Sequence, residues 1–337
     1  MWLKKILHTL SASALFTGLW APIQAIAADK VVVYSARAEH LIKPVFEKFT
    51  AETGIEVDYF TGKDAALIER LKVEGANTPA DMLLTVDAGN LWYAAEQGIF
   101  QPFDATVEQN VPAHLRDPNN LWTGLSIRAR TIVYSTERVN PSELSTYEDL
   151  ASAKWADRLC LRTSKKVYNK SLVAGLIAHH GKDKARNIVE GWVDNLSINP
   201  IAKDTQVVDA ILANQCDVGI MNTYYFGRMQ AKNPNIKAKL FWANQDSTGT
   251  HVNVSGAGLL KHAKNKAAAQ QLLTWLTSDK AQMLFAGLNK EYPVKNDVPL
   301  DRVVESWGSF KQDELNLAEI GRLQQEAVRL NQRARYR

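Results

Sequence analysis

Two adjacent phenols, Tyr224 and Tyr225, and a third, Tyr168, stand out as residues able to do metal chemistry. A phenolate is a hard oxygen donor, suited to a hard, highly charged cation such as ferric iron. Free tyrosine loses its proton only near pH 10, so only a strong Lewis acid holds several phenolates at neutral pH, and binding it expels their protons. Three phenolates also match the charge of a trivalent cation. The alternative reading is that these rings pack a core, as buried tyrosines commonly do.

Each phenol follows a strand. The apolar run 216–221 reads as a buried parallel strand, and Asn222 and Thr223 as turn and N-cap residues before a helix. Tyr224 and Tyr225 then fall just past the strand's C-terminal end, the edge where open α/β sheets bind ligands. The segment 164–169 stands in the same relation to a strand around Cys160. Tyr168 comes eight residues after Cys160, and Tyr224 eight after Cys216, so two strands of one domain deliver phenols to one sheet edge. These are the chain's two cysteines, and in an exported protein they point to one disulfide, Cys160 to Cys216, tying the two strand bases. Two free buried thiols are the alternative.

The elements that must position these residues alternate along the chain. Residues 30–34 form a buried strand, followed by an amphipathic helix over about 40–52 with Pro44 in its first turn and Gly54 as its stop. Residues 55–60 alternate as a second strand; helix 65–73, strand 82–86 and helix 90–97 complete a βαβαβα run. That pattern predicts a doubly wound parallel sheet. A second run starts with strand 127–134 and continues through the Leu159 strand, helices near 170–180, 183–193 and 206–213, and the Val218 strand. The stretch 251–260 leads into helices 266–278 and 279–287, and the last long helix covers about 318–333. No Gly/Pro-rich linker separates the runs. The fold class expected is therefore α/β, two doubly wound lobes joined by crossing hinge strands that close on a ligand. The expected division is 28–127 plus about 253–305 for the N-terminal lobe, and 128–252 plus about 306–337 for the C-terminal lobe.

The first 27 residues read as a cleavable signal peptide: Lys4 and Lys5, a mostly apolar stretch over 6–20, then Ala25-Ile26-Ala27 before the cleavage point. The apolar stretch falls short of the roughly 20 residues that a membrane span needs. Cys160 is the first cysteine, so none near the cleavage point could carry a lipid. Of 40 basic and 36 acidic residues, removal of 1–27 takes two lysines and no acid, leaving a net charge of about +2. That balance argues against nucleic acid or an anionic membrane surface as partner. About 310 residues exceed one comfortable core, which favours two domains.

Six segments in order carry a family likeness: 33–37 (Val-Tyr-Ser-Ala-Arg), 78–81 (Thr-Pro-Ala-Asp), Arg128-Ala129-Arg130, Asn222-Thr223-Tyr224-Tyr225, 249–256 (Gly-Thr-His-Val-Asn-Val-Ser-Gly) and Glu291-Tyr292-Pro293-Val294. Together they resemble the periplasmic ferric-ion-binding proteins of bacterial ABC importers, the bacterial transferrins. The resemblance implies a type II periplasmic binding protein fold, with Tyr168, Tyr224 and Tyr225 as iron ligands. It implies a monomer in the periplasm that hands Fe(III) to an inner-membrane ABC permease.

This sequence departs from many relatives in the first lobe, where His or His-Tyr is replaced by Ala38 and Glu39. Alanine cannot ligate. Glu39 could, although it reads as an acid at a helix start, and His40 reads as a surface or packing residue. Asp87 matches a carboxylate that ligates iron in some relatives, although an Asp opening a helix usually caps it. Three phenolates leave coordination positions open, and the resemblance implies that a synergistic anion, carbonate in most relatives, fills them. Arg37, opening toward a helix N-terminus, and Arg128, at the crossing into the second lobe, are the anion-binding candidates. Interdomain ion pairing is the alternative for both.

No nucleophile elbow, P-loop, HExxH or paired-cysteine motif occurs, so nothing argues for an enzyme. A competing class is an exported hydrolase or transferase on the same architecture. Another is a same-fold binding protein for a polyamine or a small oxyanion, with the tyrosines as a cage or as neutral donors.

Overall fold

The computed structural model of the chain describes residues 30–337. The expected signal peptide, 1–27, lies outside the described residues.

β1 (Lys30–Ser35) opens the described chain with Val31, Val33 and Tyr34 buried. α1 (Glu39–Thr53) buries Ile42, Val45, Phe46 and Phe49, the spacing of one helix face. It stops at Gly54, whose φ of 75° suits a residue without Cβ and whose N–H returns to the Thr50 carbonyl. Because α1 begins at Glu39, Pro44 lies in the second turn rather than the first, and the carbonyl of exposed His40 loses its helical donor.

β2 (Glu56–Thr61), α2 (Asp64–Glu74), β3 (Met82–Thr85) and α3 (Ala88–Glu96) follow, then the short β4 (Phe100–Gln101) and α4 (Ala105–Glu108). β5 (Thr123–Ser135) is buried along its whole length. Next come β6 (Leu159–Cys160), α5 (Val167–His180), α6 (Lys182–Asp194), α7 (Asp204–Leu212), β7 (Val218–Asn222), α8 (Thr223–Lys232) and β8 (Ala238–Phe241). β9 (Val252–Leu260), α9 (Lys266–Leu276), α10 (Asp279–Asn289), α11 (Arg302–Glu305) and α12 (Leu317–Arg333) complete the chain.

The strands run in the order β2-β1-β3-β9-β5-β7-β6. β2, β1 and β3 are parallel, as are β6 and β7, whereas β9 and β5 are antiparallel to their neighbours. The purely parallel sheets read from the alternation are thus mixed at their centre. Parallel neighbours need helical crossovers, but β5 and β9 are the segments that carry the chain across. Thr123–Ala129 of β5 pairs with β9, and Arg130–Tyr134 of the same strand pairs with β7. One continuous strand therefore belongs to both halves.

α12 packs on α5 and also on α3, so the last helix lies across both halves. Two glycines permit this approach: a Cβ on Gly321 would sit 2.5 Å from Trp92, and one on Gly89 would run into the Gln324 amide. A compact apolar cluster of Val133, Cys160, Val207, Ile211, Cys216, Met221 and Phe226 fills the space beneath β7 and α8. Tyr225 packs against it.

Candidate metal centre

β6 and β7 lie side by side in parallel, Cys160 opposite Gly219, and Cys160 is disulfide-bonded to Cys216 with the Cα atoms 5.9 Å apart. Each strand hands over to a helix carrying tyrosine in its first turn. Tyr168 is the second residue of α5; Tyr224 and Tyr225 are the second and third of α8. The Tyr224 hydroxyl donates to the Tyr168 hydroxyl at 3.3 Å, and the Tyr225 ring lies 4.2 Å from that of Tyr224, tilted by 36°. Neither Lys166 nor Asn222 caps its helix with a side chain. Both N-terminal turns therefore turn uncapped N–H groups and the positive dipole end toward their tyrosines, a setting that favours phenolate and bound anions.

Asn222, read from sequence as a turn and cap residue, has another job. Its Oδ1 accepts from Arg130 Nη1 at 3.1 Å. Arg130 Nε also donates to Asn169 Oδ1 at 2.9 Å, and Arg130 Nη1 pairs with Asp204 at 3.2 Å. One buried guanidinium thus grips the residue after Tyr168 and the residue two before Tyr224, while Asp204 accepts the Asn222 backbone N–H at 3.2 Å. Removing the carboxylate strands Arg130 uncompensated. Asp204→Ala should cost about 3–5 kcal/mol of stability, read by urea unfolding. An unchanged midpoint would remove Arg130 from this positioning role.

Tyr168 and Tyr224 are held in their neutral form. Burial pushes the Tyr224 phenol well above the usual tyrosine range, with Tyr168 and Tyr225 adding to the shift and the Arg128 guanidinium opposing it. Burial likewise raises Tyr168, again against Arg128. Three guanidinium groups border the rings: Arg128 at 5.7 Å and Arg162 at 5.4 Å from the Tyr168 ring, and Arg228 at 5.2 Å from that of Tyr224. Among the described residues no group of three His, Cys, Asp or Glu could hold a metal ion.

The first-lobe candidates have partners of their own. Arg37 Nη2 lies 2.6 Å from Glu291 Oε2 and Nη1 donates to Ser126 Oγ at 3.2 Å, all buried. By the division expected above all three residues fall within the N-terminal lobe, so Arg37 is ion-paired inside that lobe rather than between domains. Arg128 donates to the carbonyls of Val86 and Val254, the latter at 2.7 Å, and keeps a buried Nε without a partner. Asp87, fully buried, caps α3: one oxygen accepts from Gly89 N at 2.8 Å and Gln324 Nε2 at 2.9 Å, the other from Asn253 Nδ2 at 2.8 Å. Glu39 opens α1, accepting from the Tyr59 hydroxyl at 3.2 Å, and His40 is exposed.

Sequence reasoning missed Arg228 and Arg162. Arg228 was legible in principle, since a residue four after Tyr224 on one helix shares its face. Arg162 reaches Tyr168 from the strand side and carries no such spacing. The partner role of Glu291 also had no local signal, because it lies 254 residues from Arg37.

Known proteins share this architecture. The "Iron uptake protein A1" of Synechocystis sp. is 43% identical over 300 residues, covering 87% of this chain and 83% of that one. The "Fe(3+)-binding periplasmic protein" of Serratia marcescens is 29% identical over 279 residues, 80% of this chain and 81% of that one. A solved structure, Trichodesmium IdiA (FutA) in complex with iron and citrate ligands, superposes with a TM-score of 0.88 at 42% identity, covering 91% of this chain and all of that one. The two-lobed α/β fold is that of these binding proteins, and no relative among them is an enzyme. The family described as "Bacterial extracellular solute-binding protein" matches residues 77–312, and the chain belongs to it.

Proposed function

We propose that this protein is exported to the periplasm, captures ferric iron as a monomer through the phenolates of Tyr168, Tyr224 and Tyr225, and delivers it to an inner-membrane ABC permease. The observation that carries this reading is the meeting of three phenols from two adjacent strand-to-helix junctions, two of them hydroxyl to hydroxyl at 3.3 Å. The relatives' names, which refer to iron uptake and Fe(3+) binding, support the same cargo. Adding Fe(III) to the metal-free protein should produce a visible phenolate-to-iron band. A colourless mixture with no protein-bound iron would overturn the reading.

Three phenolates do not complete an octahedron, and Ala38 offers nothing from the first lobe. A synergistic oxyanion, carbonate by preference, fills two of the remaining positions. Among the guanidinium groups at the rings, Arg162 faces Asp204 at 3.5 Å, whereas Arg228 and Arg128 belong to no ion pair among the described residues, so these two are best placed to hold it. Arg37, the first anion candidate by sequence, has its charge balanced by Glu291. Iron loading should weaken at least about tenfold in bicarbonate-free buffer, and recover with bicarbonate or citrate. Arg228→Ala should weaken loading in bicarbonate, with Glu39→Ala and His40→Ala close to the parent. Equal affinity without carbonate, together with a large loss in Glu39→Ala, would place iron ligation in the first lobe instead.

A further inference from the structure

On the second lobe, a cavity of about 490 Å3 opens between the start of α5 and the end of α12. Four cations, Lys165, Lys170, Arg335 and Arg337, line it, and no carboxylate side chain does. Among the described residues none of the four belongs to an ion pair; Glu326, the acid nearest to them along α12, faces Lys182 at 3.3 Å and Arg329 at 3.6 Å. Set against the one main-chain carboxylate of Arg337, four cations leave an excess of positive charge that raises the local concentration of anions. The wall is built rather than incidental. Ser164 donates its N–H to the Arg337 carbonyl at 3.0 Å and its hydroxyl to the Tyr336 carbonyl at 2.7 Å, pinning 335–337 against the start of α5. Asn331, 2% exposed, borders the cavity with both amide atoms lacking a partner, an unmet demand that natural interiors seldom leave.

We infer that this cavity is a second ligand site, one that binds a small soluble oxyanion carrying two or more negative charges, of the polycarboxylate or phosphate class. Its size suits a small-molecule ligand, and the excess of cations selects a multiply charged one over acetate or chloride. The site lies close to the phenols without including them. The Tyr336 hydroxyl on its wall is 2.8 Å from Asn169 Nδ2, in the residue that follows Tyr168. The inference stands whether or not the protein carries iron.

The test is calorimetric titration of the iron-free protein with citrate and, separately, inorganic phosphate, at constant ionic strength. Saturable binding with a Kd of about 1 mM or tighter is expected for at least one probe, with acetate far weaker. Lys165→Ala with Arg335→Ala, both exposed, should weaken it at least about tenfold, while Tyr224→Phe with Tyr225→Phe leaves it unchanged. Absence of saturable binding with either probe would overturn the proposal. So would binding that survives the Lys165/Arg335 change and disappears in the tyrosine variant, since the anion would then belong to the metal centre.

Discussion

Replacing Tyr224 and Tyr225 together by Phe is expected to abolish the coloured ferric complex and lower iron affinity by many orders of magnitude, while the fold persists. Each change deletes one donor oxygen and keeps the ring that packs above the disulfide-centred cluster. Two of three hard donors are lost, and neutral Phe cannot offset the charge of a trivalent cation. Tyr168→Phe alone should also weaken the complex sharply, because it removes the oxygen facing Tyr224. Retention of full iron binding by the double variant, measured by competition against a chelator, would end the phenolate assignment. The same chemistry fixes a sign with pH. Burial keeps Tyr168 and Tyr224 protonated in the metal-free protein at neutral pH, so each phenolate formed on loading releases a proton. Affinity must therefore fall as pH falls, by up to about tenfold per proton released for each pH unit. A pH-independent affinity between neutrality and mild acid would mean that the ligands are not phenolic.

Reduction of the buried Cys160–Cys216 bond should produce a large loss of stability. The bond closes a loop spanning 56 residues, worth about 4 kcal/mol in the chain-entropy model. At about 2–4 °C per kcal/mol, the second lobe should melt roughly 10 °C lower under reductant. Thiol titration of the unfolded, unreduced protein should find none. Two reactive thiols there, or an unchanged melting temperature, would contradict the bond's role.

Much of this arrangement could be read along the chain because it is locally encoded. The face of α1, the Gly54 stop and the last long helix all declare themselves through a period of 3.6 residues and a φ that glycine tolerates. The shared eight-residue step from each cysteine to its tyrosine placed Tyr168 and Tyr224 at one sheet edge, and the parallel pairing of β6 with β7 makes that step meaningful. Four of the shortest elements, β4, α4, β8 and α11, went unread, because a segment of two to four residues completes no period.

Donor chemistry and its approximate place were thus determined by the sequence itself: residue type sets hardness and charge, and strand-to-helix junctions set the edge. Which charge faces which was decided only by the tertiary structure. Arg37 meets Glu291 across 254 residues, Asp87 meets Asn253 and Gln324, and Arg130 reaches from the crossing strand to three different elements. A guanidinium opening toward a helix and an Asp before one look the same in sequence whether they bind a ligand or a neighbour. Burial settles the matter, because a charge removed from water must find its partner inside the fold, and that partner is chosen by packing rather than by spacing.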